Sequence, residues 1–391
     1  MTALGAPSLA TKVPRQIWAL GFVSLLMDIS SETIHALLPV YLVTVLGVSF
    51  AQVGWIEGIA EATASIVKIF SGAVSDWLGR PKLFAVVGYG LAALVKPVFP
   101  LAGGAGGIVA ARFLDRVGKG IRGAPRDALV ASISPPSLLG ASIGLRQTLD
   151  TVGAFLGPLS AVALMWATSN QYRAVFWAAV LPAFLAVAML AIGVGEQERA
   201  GRPGRFPLRW SEMKALGPAY WRVVGVVAVF GLARFSEAFL ILKAQAVGLP
   251  VALAPMVLVV MNVIYAGAAY PVGALSDVVG RRGLLALGFG VLIAADLALA
   301  FADNLWVAAL GIGLWGLHMG LTQGLLSALV ADTTPEGRRG VAYGVYNLVG
   351  GVAMLMGSAI AGYLWDAMGV RLVRFTSMSF CTEVGPPAQD A

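Results

Sequence analysis

Ionisable side chains recur inside runs of sequence that are otherwise apolar, and their spacing gives them a common direction. Asp28, Glu32 and His35 stand at i, i+4 and i+7, which is one face of a helix. Glu57, Glu61 and Lys68 largely share a face in the next run. Lys96 follows in the third, Arg112, Asp115, Arg116 and Lys119 in the fourth, and Arg146 and Asp150 in the fifth. A carboxylate beside an arginine holds its negative charge, whereas the same group desolvated and unpaired takes up a proton more readily. Moving a buried carboxylate between those two settings therefore binds or releases a proton. Asp28 and Glu61 are the first candidates for such coupling, then Glu32 and Asp150. Arg112, Asp115, Arg116 and Arg146 complete the network. The competing expectation is a fixed lattice of ion pairs that sets helix packing.

The elements that position these groups follow from composition. The chain has 391 residues, 58% hydrophobic and only 12% charged, with a mean hydropathy of +0.83. Soluble domains carry about 25% charged residues. The deficit excludes an ordinary soluble enzyme, a disordered chain and a nucleic-acid binder. The single Cys381 excludes a disulfide framework and a thiolate metal site. Apolar runs at roughly 17–43, 52–76, 83–101, 105–124, 139–166, 174–195, 223–247, 251–275, 284–302, 305–330 and 340–365 are each long enough to span a bilayer. None alternates as barrel strands do, so the eleven spans are expected to be helices of an all-α polytopic membrane protein. At ~1.5 Å per residue, Asp28, Glu61, Arg112 and Asp150 fall about 12–14 Å from the outer edge of a ~30 Å hydrocarbon core. They share one layer, with Arg116 and Arg146 nearer the cytoplasm.

Sixteen basic residues, among them Arg80, Lys82, Arg122, Arg126, Arg281 and Arg282, fall on one side of the spans, and Arg173 stands nearly alone opposite. That asymmetry predicts a cytoplasmic N-terminus, and the expected location is the inner (plasma) membrane. The organisation expected is a lead at 1–16, a six-helix half at 17–195, a basic linker at 196–222, a five-helix half at 223–365 and a polar tail at 366–391.

The two halves repeat. Gly72-x3-Asp76-x2-Gly79-Arg80 follows span two, and Gly273-x3-Asp277-x2-Gly280-Arg281 follows span eight, about 200 residues later. Near that offset Gly140, Gly144 and Gly157 align with Gly340, Gly344 and Gly357. These loops resemble motif A of the major facilitator superfamily. Gly144-x8-Gly153-x3-Gly157-Pro158 resembles its motif C, the antiporter signature of drug exporters, although Ala161-Val162 replaces the closing Gly-Gly. Arg112-Phe113-Leu114 resembles motif B. The resemblance covers residues 15–365 and implies two pseudo-symmetric halves, alternating access, and a gate in which Asp76 faces the start of span eleven near Gly340, with Arg122 or Arg126 as a second partner. Twelve spans are usual there, and 370–391 holds no twelfth.

Proline and glycine in span five also suggest a bend and a tight seam against the span's counterpart in the other half. In the second half Asn262, Tyr265, Trp315, His318, Gln323 and Asn347 are candidate cavity residues, while Arg234 and Glu237 stand one turn apart and are expected to pair with each other. Gly140-x-Ser142-x-Gly144 and Gly311-x-Gly313-x-x-Gly316 spell soluble-enzyme motifs, but each requires a strand-to-helix turn that a membrane helix does not supply. The expectation is a proton-coupled exporter of a small molecule or drug, monomeric, and neither an enzyme nor a holder of cofactor or metal. The rivals are a divalent-metal exporter built on Asp28, Glu32, His35, Glu57 and Glu61, and a sensor or inactive membrane protein that retains the fold.

Overall fold

The computed structural model describes residues 13–135, 138–195, 216–279, 281–334 and 339–369. Among them the regular structure is entirely helical. Eleven long units stand where the apolar runs mark them. They are α1 (Arg15–Val45), α2 (Phe50–Leu78), α3 (Pro81–Leu101), α4 (Ala105–Ile133), α5 (Leu139–Ala167) and α6 (Tyr172–Gly193). The second set comprises α7 (Pro218–Ala246), α8 (Met256–Val279), α9 (Arg281–Ala300), α10 (Leu305–Asp332) and α11 (Arg339–Leu364). Nine of the units contain a stretch long and apolar enough to cross a membrane. The other two, α2 and α4, are equally long but carry the densest charge, from Glu57, Glu61 and Lys68 to Arg112, Asp115, Arg116 and Lys119.

Local chemistry sets the ends. Ser49 and Gln52 form a reciprocal capping box that starts α2, satisfying backbone donors that the first turn leaves free. Gly79 ends the same helix in the left-handed region at φ 66°, where a side chain would be strained. Asn304 accepts the N–H groups of Trp306 and Val307 at 3.0 Å and starts α10.

Three boundaries differ from the sequence expectation. Helix α4 runs on past 124 to Ile133, because its basic face is paired rather than solvated. Helix α7 begins at Pro218, inside the segment expected to be linker; 196–215 lies outside the described residues. Helix α11 continues through a π-helical turn, Trp365–Gly369, into the expected polar tail, of which 370–391 lies outside the described residues.

The repeat is visible in the packing. In the first set α1 packs on α5, α2 on α4 and α3 on α4; in the second α7 packs on α11, α8 on α10 and α9 on α10. Each set has its own apolar core, one around Ile17, Met27, Tyr89 and Leu190, the other around Tyr220, Met261, Leu292 and Trp315. Between the sets, α2 meets α11 and α5 meets α8. The α2–α11 seam is closest in the half of the helices that carries Phe50, where a Cβ built on Gly54 would lie 2.3 Å from the Ser358 carbonyl oxygen. A Cβ built on Gly362 would lie 2.5 Å from the Phe50 carbonyl oxygen, on Gly58 2.8 Å from Leu355, on Gly351 3.0 Å from Ser65, and on Gly344 3.5 Å from Ile69. Asp366 closes this end. Its two carboxylate oxygens accept the N–H groups of Phe50 and Ala51 at 3.1 and 3.0 Å, on the positive end of α2. Trp365 stacks on Phe50 beside them, with ring centroids 5.1 Å apart.

Candidate functional site

Helices α2 and α4 supply a ladder of buried ion pairs. Glu57 and Glu61 are four residues apart on one, Arg112 and Arg116 four apart on the other. Arg112 donates to Glu57 at 2.6 Å and Arg116 lies 3.0 Å from Glu61, so two rungs stack one turn apart. The adjacent Asp115 turns toward α3, where Lys96 holds it at 2.9 Å and also donates to Ser31 at 3.0 Å. His35 on α1 lies between Glu32 and Glu57, at 3.2 and 3.5 Å. Nearer the other end of the bundle Asp150 is held by Arg146 at 2.5 Å and by Arg126 at 3.3 Å, and Arg122 lies over the Tyr89 ring at 4.9 Å. Isolated charges of this kind cost several kcal/mol in an apolar interior. Pairing along α2, α3 and α4 offsets that cost and explains why two charged helices sit inside the bundle.

Within the expected network, Glu61, Arg112, Asp115, Arg116, Arg146 and Asp150 all find partners of opposite sign, and Glu32 finds the His35 imidazole. Asp28 finds no such partner. It makes no ion pair among the described residues, packs where Gly153 of α5 leaves room, and has Asp150, Arg122, Lys119 and Arg126 as charged neighbours. The expected arginines are thus its neighbours, but neither forms a direct salt bridge with it. Glu57, set aside from the leading group, is a central member. It was legible through its i+4 spacing to Glu61.

The second set contributes a different device. Helix α7 is broken between Ala233 and Ala238, giving Pro218–Ala233 and Ala238–Ala246. Neither proline nor glycine marks the break. Gly357 of α11 allows it, since a Cβ there would lie 2.7 Å from the Leu232 carbonyl oxygen and 3.1 Å from that of Arg234. Ser358 then accepts the Ser236 N–H at 3.0 Å, replacing part of the lost helical bonding. The break turns Arg234 inward. Gln323 of α10, with its amide oriented to satisfy both groups, accepts from both Nη atoms of Arg234 at 3.0 Å. The expected Arg234–Glu237 ion pair does not form.

A cavity of about 190 Å³ lies between the two sets of helices. Glu61 and Ser65 of α2 form one wall; Arg234, His318, Gln323 and Asn347 form the other. Glu61 thus belongs both to the ladder and to the cavity, and its side chain is 28% exposed while that of Arg116 is 2% exposed. His318 donates Nδ1–H to the Gly288 carbonyl at 2.9 Å, which leaves Nε2 as an acceptor. Of the six expected cavity residues, His318, Gln323 and Asn347 line it. Trp315 is fully buried behind it, 4.6 Å from the Phe235 ring, and Asn262 and Tyr265 stand on α8 outside the lining. Arg234 is the lining residue that spacing did not reveal, because its partner is on another helix.

The glycine motifs have specific neighbours. Gly153 and Gly157 pack on α1, at the Leu25 and Ile29 carbonyls, and Thr33 donates to the Gly157 carbonyl at 3.0 Å. The expected seam against a counterpart in the other half is not what they build; Gly144 faces open space, and Pro158 sits within α5. Gly72 allows α2 to approach Ala124 of α4, Arg80 is exposed, and Arg281 pairs with Asp332. The side chains of Asp76 and Asp277, the surroundings of Gly273 and the placement of Gly280 lie outside the described residues. Among the described residues no group of three or more His, Cys, Asp or Glu is arranged to hold a metal ion.

A profile of the Major Facilitator Superfamily matches residues 20–358. The chain belongs to the major facilitator superfamily. An MFS-type transporter of Methanocaldococcus jannaschii is 31% identical over 90% of this chain and 89% of its own length. The inner membrane transport protein YajR of Escherichia coli is 24% identical over 92% of this chain and 80% of its own length. Among solved structures, a bacterial homologue of the human lysosomal transporter Spinster, inward-facing and unoccupied, superposes with a TM-score of 0.74 at 16% identity, covering 95% of this chain and 86% of that one. A polytopic membrane protein of a transporter family accounts for the doubled packing pattern, and MFS transporters bind small-molecule substrates and sit in a lipid bilayer.

Proposed function

We propose that the protein is a proton-coupled secondary transporter that exports a small molecule across the inner membrane by alternating access. The observation that carries this reading is Glu61, a carboxylate held by a buried arginine and facing the cavity between the halves. Protonation of Glu61 would remove its hold on Arg116 and leave an unpaired cation in the ladder, which favours a different helix arrangement. Return of the proton to the other side resets the pair.

The distribution of basic loop residues supports a cytoplasmic N-terminus, which puts the Phe50–Asp366 end outside. The graded α2–α11 seam is then that of a state closed outside. The halves run from Arg15 to Gly193 and from Pro218 to Gly369, joined by the segment between them, and the working unit is a monomer. The name of the Escherichia coli relative supports the inner membrane. The partial antiporter motif supports export, with Gly153 and Gly157 tying α5 to the helix bearing Asp28 and Glu32.

The test is a survey of drugs, metabolites and divalent metals in cells with and without the protein, followed by flux in inverted vesicles with an imposed pH gradient. Accumulation of an organic solute that collapses when the gradient is dissipated supports the reading. Gradient-independent flux refutes coupling, selective protection against metals favours the metal exporter, and no flux of any solute favours the sensor.

A further inference from the structure

Most charges in the first set of helices stand in ion pairs, with Asp28 and Arg122 among the exceptions, and in the second set Arg234 stands in none among the described residues. Its two Nη atoms donate to Gln323, a neutral amide, and its buried Nε has no partner. Glu237, three residues on, has Arg234 as its strongest opposite charge yet stands beyond ion-pair distance and outside the cavity lining. Glu61 across the cavity is already engaged by Arg116 at 3.0 Å. His318, with Nδ1–H given to a carbonyl, needs no added proton, and Thr322, Tyr346 and Asn347 are neutral. The lining therefore holds one guanidinium whose charge nothing on the walls neutralises. Arg234 is half-buried, with its Nε closed off and its fork turned to the cavity, and guanidinium geometry suits a carboxylate or phosphate.

We infer that Arg234, aligned by Gln323, is the anion-binding group of the central cavity, and that the solute is a small organic anion with an apolar body. This rests on the transport reading above and names its substrate class. Phe230, Val227 and Met354 offer apolar wall for the body, and Asn347 and Thr322 offer polar contacts. At about 190 Å³ the cavity is smaller than the roughly 300–1,000 Å³ of pockets for drug-sized ligands, which points to a solute the size of benzoate.

The experiment uses the full chain purified in detergent, with no membrane or gradient, so it reads anion binding whether or not the protein moves protons. Benzoate, benzamide and benzylamine have nearly one shape and three charges. Thermal unfolding and tryptophan fluorescence are followed as each is added up to tens of millimolar. Benzoate is expected to raise Tm in a saturable way, with the amide and amine at least ten-fold weaker. Arg234→Gln is expected to abolish the benzoate effect. If that variant does not fold, Gln323→Leu keeps the guanidinium but not its alignment, and is expected to weaken benzoate several-fold. No benzoate effect, an equal effect of benzylamine, or undiminished benzoate binding in whichever variant folds overturns the inference.

Discussion

Removing the Asp366 carboxylate should loosen the Phe50 end of the α2–α11 seam by a calculable amount. Its two oxygens accept two backbone N–H groups, at 3.1 and 3.0 Å, in the first turn of α2. Hydrogen bonds to a charged group contribute about 1.5–3 kcal/mol each when desolvated. Loss of a capping acceptor at a helix start costs about 0.5–2 kcal/mol, and Asp366 is only half-buried. A value near 2 kcal/mol is therefore appropriate for Asp366→Ala, roughly a thirty-fold shift in the opening equilibrium at 1.36 kcal/mol per decade. Asp366→Asn keeps one acceptor and no charge, so about half of that energy should be lost. Hydrogen exchange at the Phe50 and Ala51 amides reads the effect directly. Protection there should fall about thirty-fold in the alanine variant, while amides in the middle of α2 change little. Spin labels on cysteines at Gln52 and Tyr363, with Cys381 replaced, should show a larger population in which these two helix ends are separated. Unchanged exchange at the two amides would refute the latch.

Three further outcomes follow. Arg112→Leu strands Glu57 without its cation and should cost about 3–5 kcal/mol, whereas Arg112→Leu with Glu57→Leu should recover most of the loss; unfolding in detergent compares them. Gly157→Leu drives a side chain into the Ile29 carbonyl and should abolish folded protein, while Gly144→Leu, facing open space, should leave yield and Tm nearly unchanged. Gly357→Val should displace the α7 break and reduce the protection of the Ser236 amide, whose acceptor Ser358 sits one residue away.

The ladder was legible because both of its helices carry charge at i and i+4, a spacing that survives any packing arrangement. The spans were legible because a bilayer demands about twenty apolar residues of each helix. Helix α4 outran its apolar stretch because Arg126 finds Asp150 on α5, a contact between elements that hydropathy does not report. The same limit hid Arg234. Its role depends on a break that Gly357 allows and on an amide from α10, neither adjacent in sequence. The missing ion pair of Asp28 has the converse reason: position along a helix does not say which neighbour lies opposite, and opposite Asp28 it is the glycine of α5. Asp366 sits just past the last apolar run and was grouped with the tail, though it is the last turn of α11 that carries it to α2.

The coupling role of Glu61 is tested most directly in proteoliposomes with the solute the survey identifies. Glu61→Gln keeps the shape of the side chain and removes its titration. Exchange of labelled for unlabelled solute should continue in the variant, while accumulation against a gradient driven by imposed pH should disappear. If Glu61→Gln concentrates solute from the pH gradient as well as the parent protein does, the proton is carried elsewhere and the account of the cavity is wrong.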